Sequence, residues 1–229
     1  MITLRPSQER GQANHGWLKS QHTFSFARYY DPEHMGVSAL RVINDDHVAP
    51  GKGFATHSHD NMEIISYVKN GVLEHKDNMG NVESLPAGEF QLMSAGTGVT
   101  HSEYNPSDSE AVEFLQIWIE PNEQGIDPGY QQKQFDQVDG FQLIASPTAE
   151  NGSLKLHQDA RLYQLRLNAD ADASYQLDAK RKLYIHMVTG ELSVNGQTLK
   201  EGDGATLNSE SAITFKGIQT SEALVFDLP

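Results

Sequence analysis

Glu63-Ile64-Ile65-Ser66-Tyr67-Val68-Lys69-Asn70-Gly71-Val72-Leu73 is where the sequence first declares its fold. The run from Glu63 to Val68 is rich in Ile, Val and Tyr and keeps no 3.6-residue apolar period, so it reads as a strand. Asn70-Gly71 reads as a tight hairpin, because a type I′ turn needs positive φ at both central residues. Similar short runs recur on either side: Ala39–Ile43, Phe90–Met93, Phe114–Ile119, Arg161–Leu167, Leu183–Val188, Leu192–Val194 and Ala223–Leu228. Gly, Asn, Asp and Pro punctuate them, and Asn195-Gly196 repeats the hairpin signal. Many short strands at this spacing predict an all-β sandwich or barrel.

The opening stretch has an echo. Val68-Lys69-Asn70-Gly71-Val72-Leu73 resembles Met187-Val188-Thr189-Gly190-Glu191-Leu192, and Leu85-Pro86-Ala87-Gly88 resembles Leu199-Lys200-Glu201-Gly202. Each half then reads strand, tight turn, strand, turn, strand. Two similar β-domains are expected, residues 1–125 and 126–229, divided in the turn-rich, Gln-rich stretch Pro121–Gly140.

Composition narrows the functions available. The chain has 229 residues, enough for two modest cores. It has no cysteine, which excludes disulfides, Fe–S clusters, thiolate zinc sites and cysteine nucleophiles. The start, Met1-Ile2-Thr3-Leu4-Arg5-Pro6, has no apolar run of the signal-peptide kind. No run of about 18 apolar residues occurs to span a bilayer. A cytoplasmic monomer with no membrane association is the expectation. Seventeen basic and 31 acidic residues give a net charge of −14. Up to Glu120 there are 8 basic and 16 acidic residues, and beyond it 9 and 15, so no basic half exists to hold a phosphate backbone. Direct nucleic-acid binding is therefore not expected.

The chemistry sits in two short segments. In Gly53-Phe54-Ala55-Thr56-His57-Ser58-His59 strand alternation puts His57 and His59 on one face. His101-Ser102-Glu103 places an imidazole and a carboxylate in the same way. A strand pair that joins the two segments makes a site of three histidines and one glutamate. N and O donors suit Fe, Mn, Ni, Co, Cu or Zn. Four ligands on one side of a six-coordinate ion leave two positions open, as catalysis at a metal requires. The remaining histidines, among them His22 and His75, are not read as members of a second ligand pair, and structural roles are expected for them. Asp45-Asp46 reads as a solvated turn.

The surrounding residues carry a resemblance. Gly51, His57, His59, Gly71, Gly80 and Pro86-Ala87-Gly88 together resemble the two motifs of the cupin superfamily, double-stranded β-barrels with a metal in the mouth. Gln91 stands where cupins usually have a histidine, and Glu63 is one position short of their usual glutamate. Asn14-His15-Gly16-Trp17-Leu18, His22-Thr23-Phe24-Ser25-Phe26, Thr56-His57-Ser58-His59, Ser94-Ala95-Gly96-Thr97-Gly98 and His101-Ser102-Glu103 account for both departures. They are similar to the pirin family, and to its bacterial members described as quercetin 2,3-dioxygenases.

That resemblance implies a bicupin with one metal ion, typically iron(II), on His57, His59, His101 and Glu103 in the N-terminal barrel. It also implies a second barrel that has lost its metal site. Aligning the halves on their turn glycines puts Gln176, Asp178, Phe215 and Gly217 at the four ligand places. The activity implied is dioxygenation of a flavonol such as quercetin with O2, releasing carbon monoxide. Glu103 would act as base, or alternatively Glu63. Phe24, Phe26, Phe54 and Met93, with Glu63, are the candidates for the substrate pocket. The alternative is a metal-binding, redox-responsive regulatory protein that docks on a protein partner, with flavonol cleavage as a side activity.

Overall fold

The computed structural model describes residues 1–229, and the chain is almost entirely strand. The first half runs β1 (Ile2–Arg5), β2 (Gly11–Asn14), β3 (Leu18–His22), β4 (Leu40–Val48), β5 (Gly53–His59), β6 (Glu63–Asn70), β7 (Val72–Asp77), β8 (Val82–Pro86), β9 (Glu89–Ser94), β10 (Val99–Tyr104) and β11 (Val112–Ile119). The second runs β12 (Gly129–Gln134), β13 (Gly140–Ser146), β14 (Leu154–Lys155), β15 (Arg161–Leu167), β16 (Asp172–Gln176), β17 (Lys182–Thr189), β18 (Glu191–Val194), β19 (Gln197–Lys200), β20 (Gly204–Asn208), β21 (Ala212–Gly217) and β22 (Ser221–Leu228). No helix is long and apolar enough to cross a membrane.

Each half is a double-stranded barrel made from a seven-stranded and a four-stranded sheet. The first has β12-β9-β6-β11-β4-β3-β2 over β5-β10-β7-β8; the second has β1-β20-β17-β22-β15-β13-β14 over β16-β21-β18-β19. Strand for strand, β4 to β11 repeat as β15 to β22, so the chain is a bicupin. Pairing crosses the division expected at 125/126 in both directions. β12 closes the free edge of β9, and β1 closes the equivalent edge of β20. Each half thus lends a strand that caps an open sheet edge, which would otherwise expose unpaired backbone groups.

Asn70-Gly71 is a corner and not a hairpin. β6 belongs to the large sheet and β7 to the small one, so the chain changes sheets there. Only Gly71 has positive φ (82°), and a Cβ on it would lie 2.9 Å from the Ala111 carbonyl oxygen. The true type I′ hairpin is Asn195-Gly196, where both residues have positive φ.

Side-chain alternation explains where the core sits. On β6, Ile65 and Tyr67 face outward and join a 23-residue apolar cluster pressed between the two large sheets, with Ile144, Tyr184, Leu224 and Phe226 from the other half. Ile64, Ser66 and Val68 face into the first barrel. The second barrel is filled by a single cluster of 15 buried residues, extended by the rings of Phe141, Tyr163 and Tyr175, of which Phe141 meets Phe215. The first barrel has only two small apolar clusters, of seven and three residues. Between them its interior is polar. Burying polar groups costs free energy unless they are paired, so this interior needs a functional reason.

Candidate metal centre

β5 and β10 pair antiparallel, with His101 opposite His57 and Val99 opposite His59. Alternation then brings the three imidazoles together. Ring centroids are 4.8 Å apart for His57 and His59, 4.5 Å for His57 and His101, and 5.0 Å for His59 and His101. One nitrogen of each lies within 4.8 Å of the others. The ladder slips between His101 and Glu103, so Glu103 faces Phe54 and not Ala55. A bulge of this kind re-aims the side chain beyond it. The Glu103 carboxylate accordingly falls in a second close group, with His101 and His75, and shares His101 with the first.

The protonation state of His59 and His101 leaves lone pairs free. Burial and the neighbouring imidazoles push the His59 pKa down to about 4 and that of His101 to about 3. Both rings are therefore neutral at pH 7 and have lone pairs to give. Hydrogen bonds select which nitrogen is free. His57 Nδ1–H donates to the Ala55 carbonyl at 2.8 Å, leaving Nε2 as the donor atom. His75 Nε2 lies 3.0 Å from Asp77 Oδ2, a bond that needs the proton on Nε2. His75 Nδ1 is then an acceptor, 3.5 Å from His101 Nδ1, which leaves His101 Nε2 without a proton. That Nε2 is buried and has no partner in the protein. An orphaned, neutral imidazole nitrogen facing two others is what an N,O-coordinated transition-metal ion fits.

Glu103 is buried. It accepts hydrogen bonds from Gln116 Nε2 at 2.9 Å and Ser66 Oγ at 3.3 Å. Desolvation raises its pKa, and the nearby histidines with these two donors oppose the rise. The carboxyl is thus held in place and remains able to carry a proton.

His57, His59 and Glu103 open onto a cavity of about 650 Å³. A shallower recess of about 760 Å³, sharing His57 and His59, leads out past Trp17 and Tyr104. Phe26, Phe54 and Trp118 line both. Phe26 meets Trp118 edge to face at 5.4 Å, and Trp118 meets His59 at 5.0 Å. The walls suit a flat aromatic ring.

Of the five pocket candidates from sequence, Phe26 and Phe54 line the cavity and three lie elsewhere. Phe24 is buried between the barrels, 5.4 Å from the Tyr184 ring. Met93 packs with Ile64 and Val99 behind Trp118. Glu63 shares the outward face of Ile65 and Tyr67 on β6. It accepts from Ser94 Oγ at 3.0 Å and from the backbone N–H of His157, in the second half, at 3.1 Å.

Sequence reasoning missed His75, Gln116, Trp118 and Asp46. His75, given a structural role above, lies directly behind His101. Asp46 is no solvated turn: it is mid-strand on β4, buried and facing the cavity, while Asp45 points outward to Lys69 at 2.6 Å. The signal that would find His75 is its position opposite Glu103 across the β7–β10 ladder, which needs the register. In the second barrel, Phe215 faces Val194, four residues after Gly190, as Glu103 faces His75, four after Gly71. The register therefore equates Ile213 and Phe215 with His101 and Glu103, shifting the sequence alignment by two positions.

Residues 3–119 match the family model described as Pirin, and residues 143–228 match that of the quercetinase C-terminal cupin domain. The chain is 55% identical to the quercetin 2,3-dioxygenase of Escherichia coli (strain K12), over 100% of this chain and 99% of that one. It is 34% identical to the pirin-like protein YhaK of the same organism, over the full length of both. Among solved structures it superposes on the bacterial pirin YhhW in complex with nickel(II), from Escherichia coli. That match has a TM-score of 0.98 and 54% identity, covering 100% of this chain and 99% of that one.

Proposed function

The chain belongs to the pirin family, and from that premise we propose that it is a metal-dependent dioxygenase that cleaves flavonols such as quercetin with O2, releasing carbon monoxide. The observation that carries this reading is the gathering of three imidazoles, beside a buried carboxylate, with His57, His59 and Glu103 opening onto a cavity walled by Phe26, Phe54 and Trp118.

In this reading His57, His59, His101 and Glu103 hold one divalent transition-metal ion. The ion, when bound, supplies Lewis acidity and open coordination positions for oxygen donors. Iron(II) is our choice for the cell. Mn, Co, Ni, Cu and Zn suit the same N and O donors, and the relative 54% identical to this chain was solved with nickel(II).

The chain's own residues do the rest. Phe26, Phe54 and Trp118 clamp the flat substrate and keep bulk water from its ring. Glu103 takes the proton of the flavonol 3-hydroxyl. Gln116 and Ser66 hold its oxygens in place during that transfer. Asp77, through His75, fixes the tautomer of His101. Glu63 has no part in this, since its oxygens face the second barrel. The division at 125/126, with β1 and β12 exchanged, gives a metal-bearing barrel and a supporting one. We take the protein to act as a cytoplasmic monomer.

The test is oxygen uptake, flavonol bleaching and carbon monoxide release by metal-loaded protein. Turnover is expected in the wild type and absent in the His57→Ala/His59→Ala variant. Equal turnover in both would refute the reading.

A further inference from the structure

The large sheet of the first barrel has an inward row of polar side chains in register across five strands. His22 on β3 faces Asn44 on β4, which faces Gln116 on β11, then Ser66 on β6, then Gln91 on β9. The row divides in two. Gln116 and Ser66 bond Glu103, and Gln91 Nε2 lies 3.4 Å from His75 Nδ1, so that half serves the metal centre. The other half, His22 and Asn44, with Asp46 one pleat along β4, lines the same cavity of about 650 Å³.

His22 Nδ1, Asn44 Oδ1 and Asp46 Oδ1 are buried and have no hydrogen-bond partner in the protein. The Nε1–H of Trp118, on the wall of the same cavity next to His59, is also unpartnered. Each such group costs roughly 1–3 kcal/mol when left dry. Four on one cavity wall mark a place built for a polar guest. Neighbouring strands lie about 4.8 Å apart, so Asn44 and His22 stand one and two strands to the side of Gln116. That offset is within the length of a three-ring flavonol anchored at Glu103.

We propose that His22, Asn44 and Asp46 form a hydroxyl-reading end of the cavity, helped by the Trp118 N–H nearer the metal, which takes the ring hydroxyls of a polyphenol other than the one at the metal. This rests on the flavonol reading of the same cavity. The acceptors on Asn44 and Asp46 meet phenolic O–H groups, and the Trp118 N–H donates to a phenolic oxygen. The end therefore selects polyhydroxylated substrates, where Phe26 and Phe54 alone would accept any flat aromatic.

The experiment is equilibrium binding to metal-loaded protein under argon, so that no turnover occurs, with quercetin and 3-hydroxyflavone as probes. Both carry the 3-hydroxyl, and only quercetin carries ring hydroxyls. Wild type is expected to bind quercetin at least tenfold more tightly. In Asn44→Leu/Asp46→Leu the ratio is expected to fall to within twofold, through weaker quercetin binding, while Tm stays level or rises because unpaired buried groups are gone. Asp46→Asn, which keeps the shape, is expected to give an intermediate ratio. A wild-type ratio near one, no binding of either probe, or equal weakening of both probes in the variants would overturn the proposal. Selective binding of quercetin without oxygen uptake would leave this end standing and remove the dioxygenase reading instead.

Discussion

Replacing Asp46 by Asn should flatten the pH dependence of stability, and the size of the effect follows from where the carboxyl lies. Asp46 is buried in the first barrel, and burial lifts its pKa from 3.8 to about 7. The charges of Asp45 and Glu103 push it the same way, while Ser20 and Lys69 oppose them. The folded carboxyl therefore keeps its proton up to about pH 7, while the unfolded one loses it near pH 3.8. Over that interval the folded state binds more protons, so stability falls as pH rises. The whole shift corresponds to about 4 kcal/mol. Between pH 5 and pH 8 the part lost is about 2–3 kcal/mol, or roughly 5–10 °C in Tm for a chain of this length. The amide cannot titrate and keeps nearly the same shape. The assay is urea unfolding of chelator-treated wild type and Asp46→Asn at a series of pH values. Contributions from buried groups not coupled to Asp46, such as His101, are common to both and cancel in the difference. Wild type should lose about 2–3 kcal/mol more than the variant from pH 5 to pH 8. Parallel curves would show that Asp46 ionises normally in the folded protein, and would remove the argument that this wall is dry.

Three further outcomes are expected. His75→Leu removes the acceptor behind His101 Nδ1 and should weaken metal binding about 10–100-fold, read by competition with a chromogenic chelator, with the far-UV spectrum unchanged. Gln116→Leu takes the donor from Glu103 Oε2, which raises the carboxyl pKa further; the acid limb of the flavonol pH–rate profile should move to higher pH. Phe215→Ala opens the packed interior of the second barrel and should cost about 3–5 kcal/mol in urea unfolding, while bound metal stays at the wild-type level by elemental analysis.

The parts of this protein that were legible in its sequence are those governed by short-range geometry. Eight strands were readable from β-rich runs, because each has a buried face and clear punctuation. β8 and β16 escaped notice since most of their residues are exposed or half-exposed and polar. Two-residue periodicity was enough to gather His57, His59 and His101, since all three lie on two strands that pair directly. The same periodicity, followed along β6, would have turned Glu63 away from the metal once Ile65 and Tyr67 were known to face the other barrel. That knowledge is tertiary. Phe24 and Met93 are aromatic and thioether side chains of the right kind near the right motifs, and nothing local separates a pocket wall from the core behind it. His75 and Gln116 needed the ladder register, which depends on which strands the barrel brings side by side. Asp46 was hidden by its neighbour: two adjacent acids resemble a turn, but on a strand they point to opposite faces, one to Lys69 in the open and one into the barrel.

The exchange of edge strands has a consequence for how the molecule is made. Ile2 to Arg5 leave the ribosome long before their ladder partners, Gly204 to Leu207, have been made. The segment must wait, unpaired, until β20 has been made, and the edge of β9 waits likewise until Gly129 to Gln134 follow. Contacts this distant along the chain are slow to close, and a bare strand edge is sticky in the meantime. The metal-bearing barrel therefore cannot be completed as a separate piece ending at residue 125. A cell that makes this protein has to shelter an unfinished sheet until the closing strands of the second half have been made.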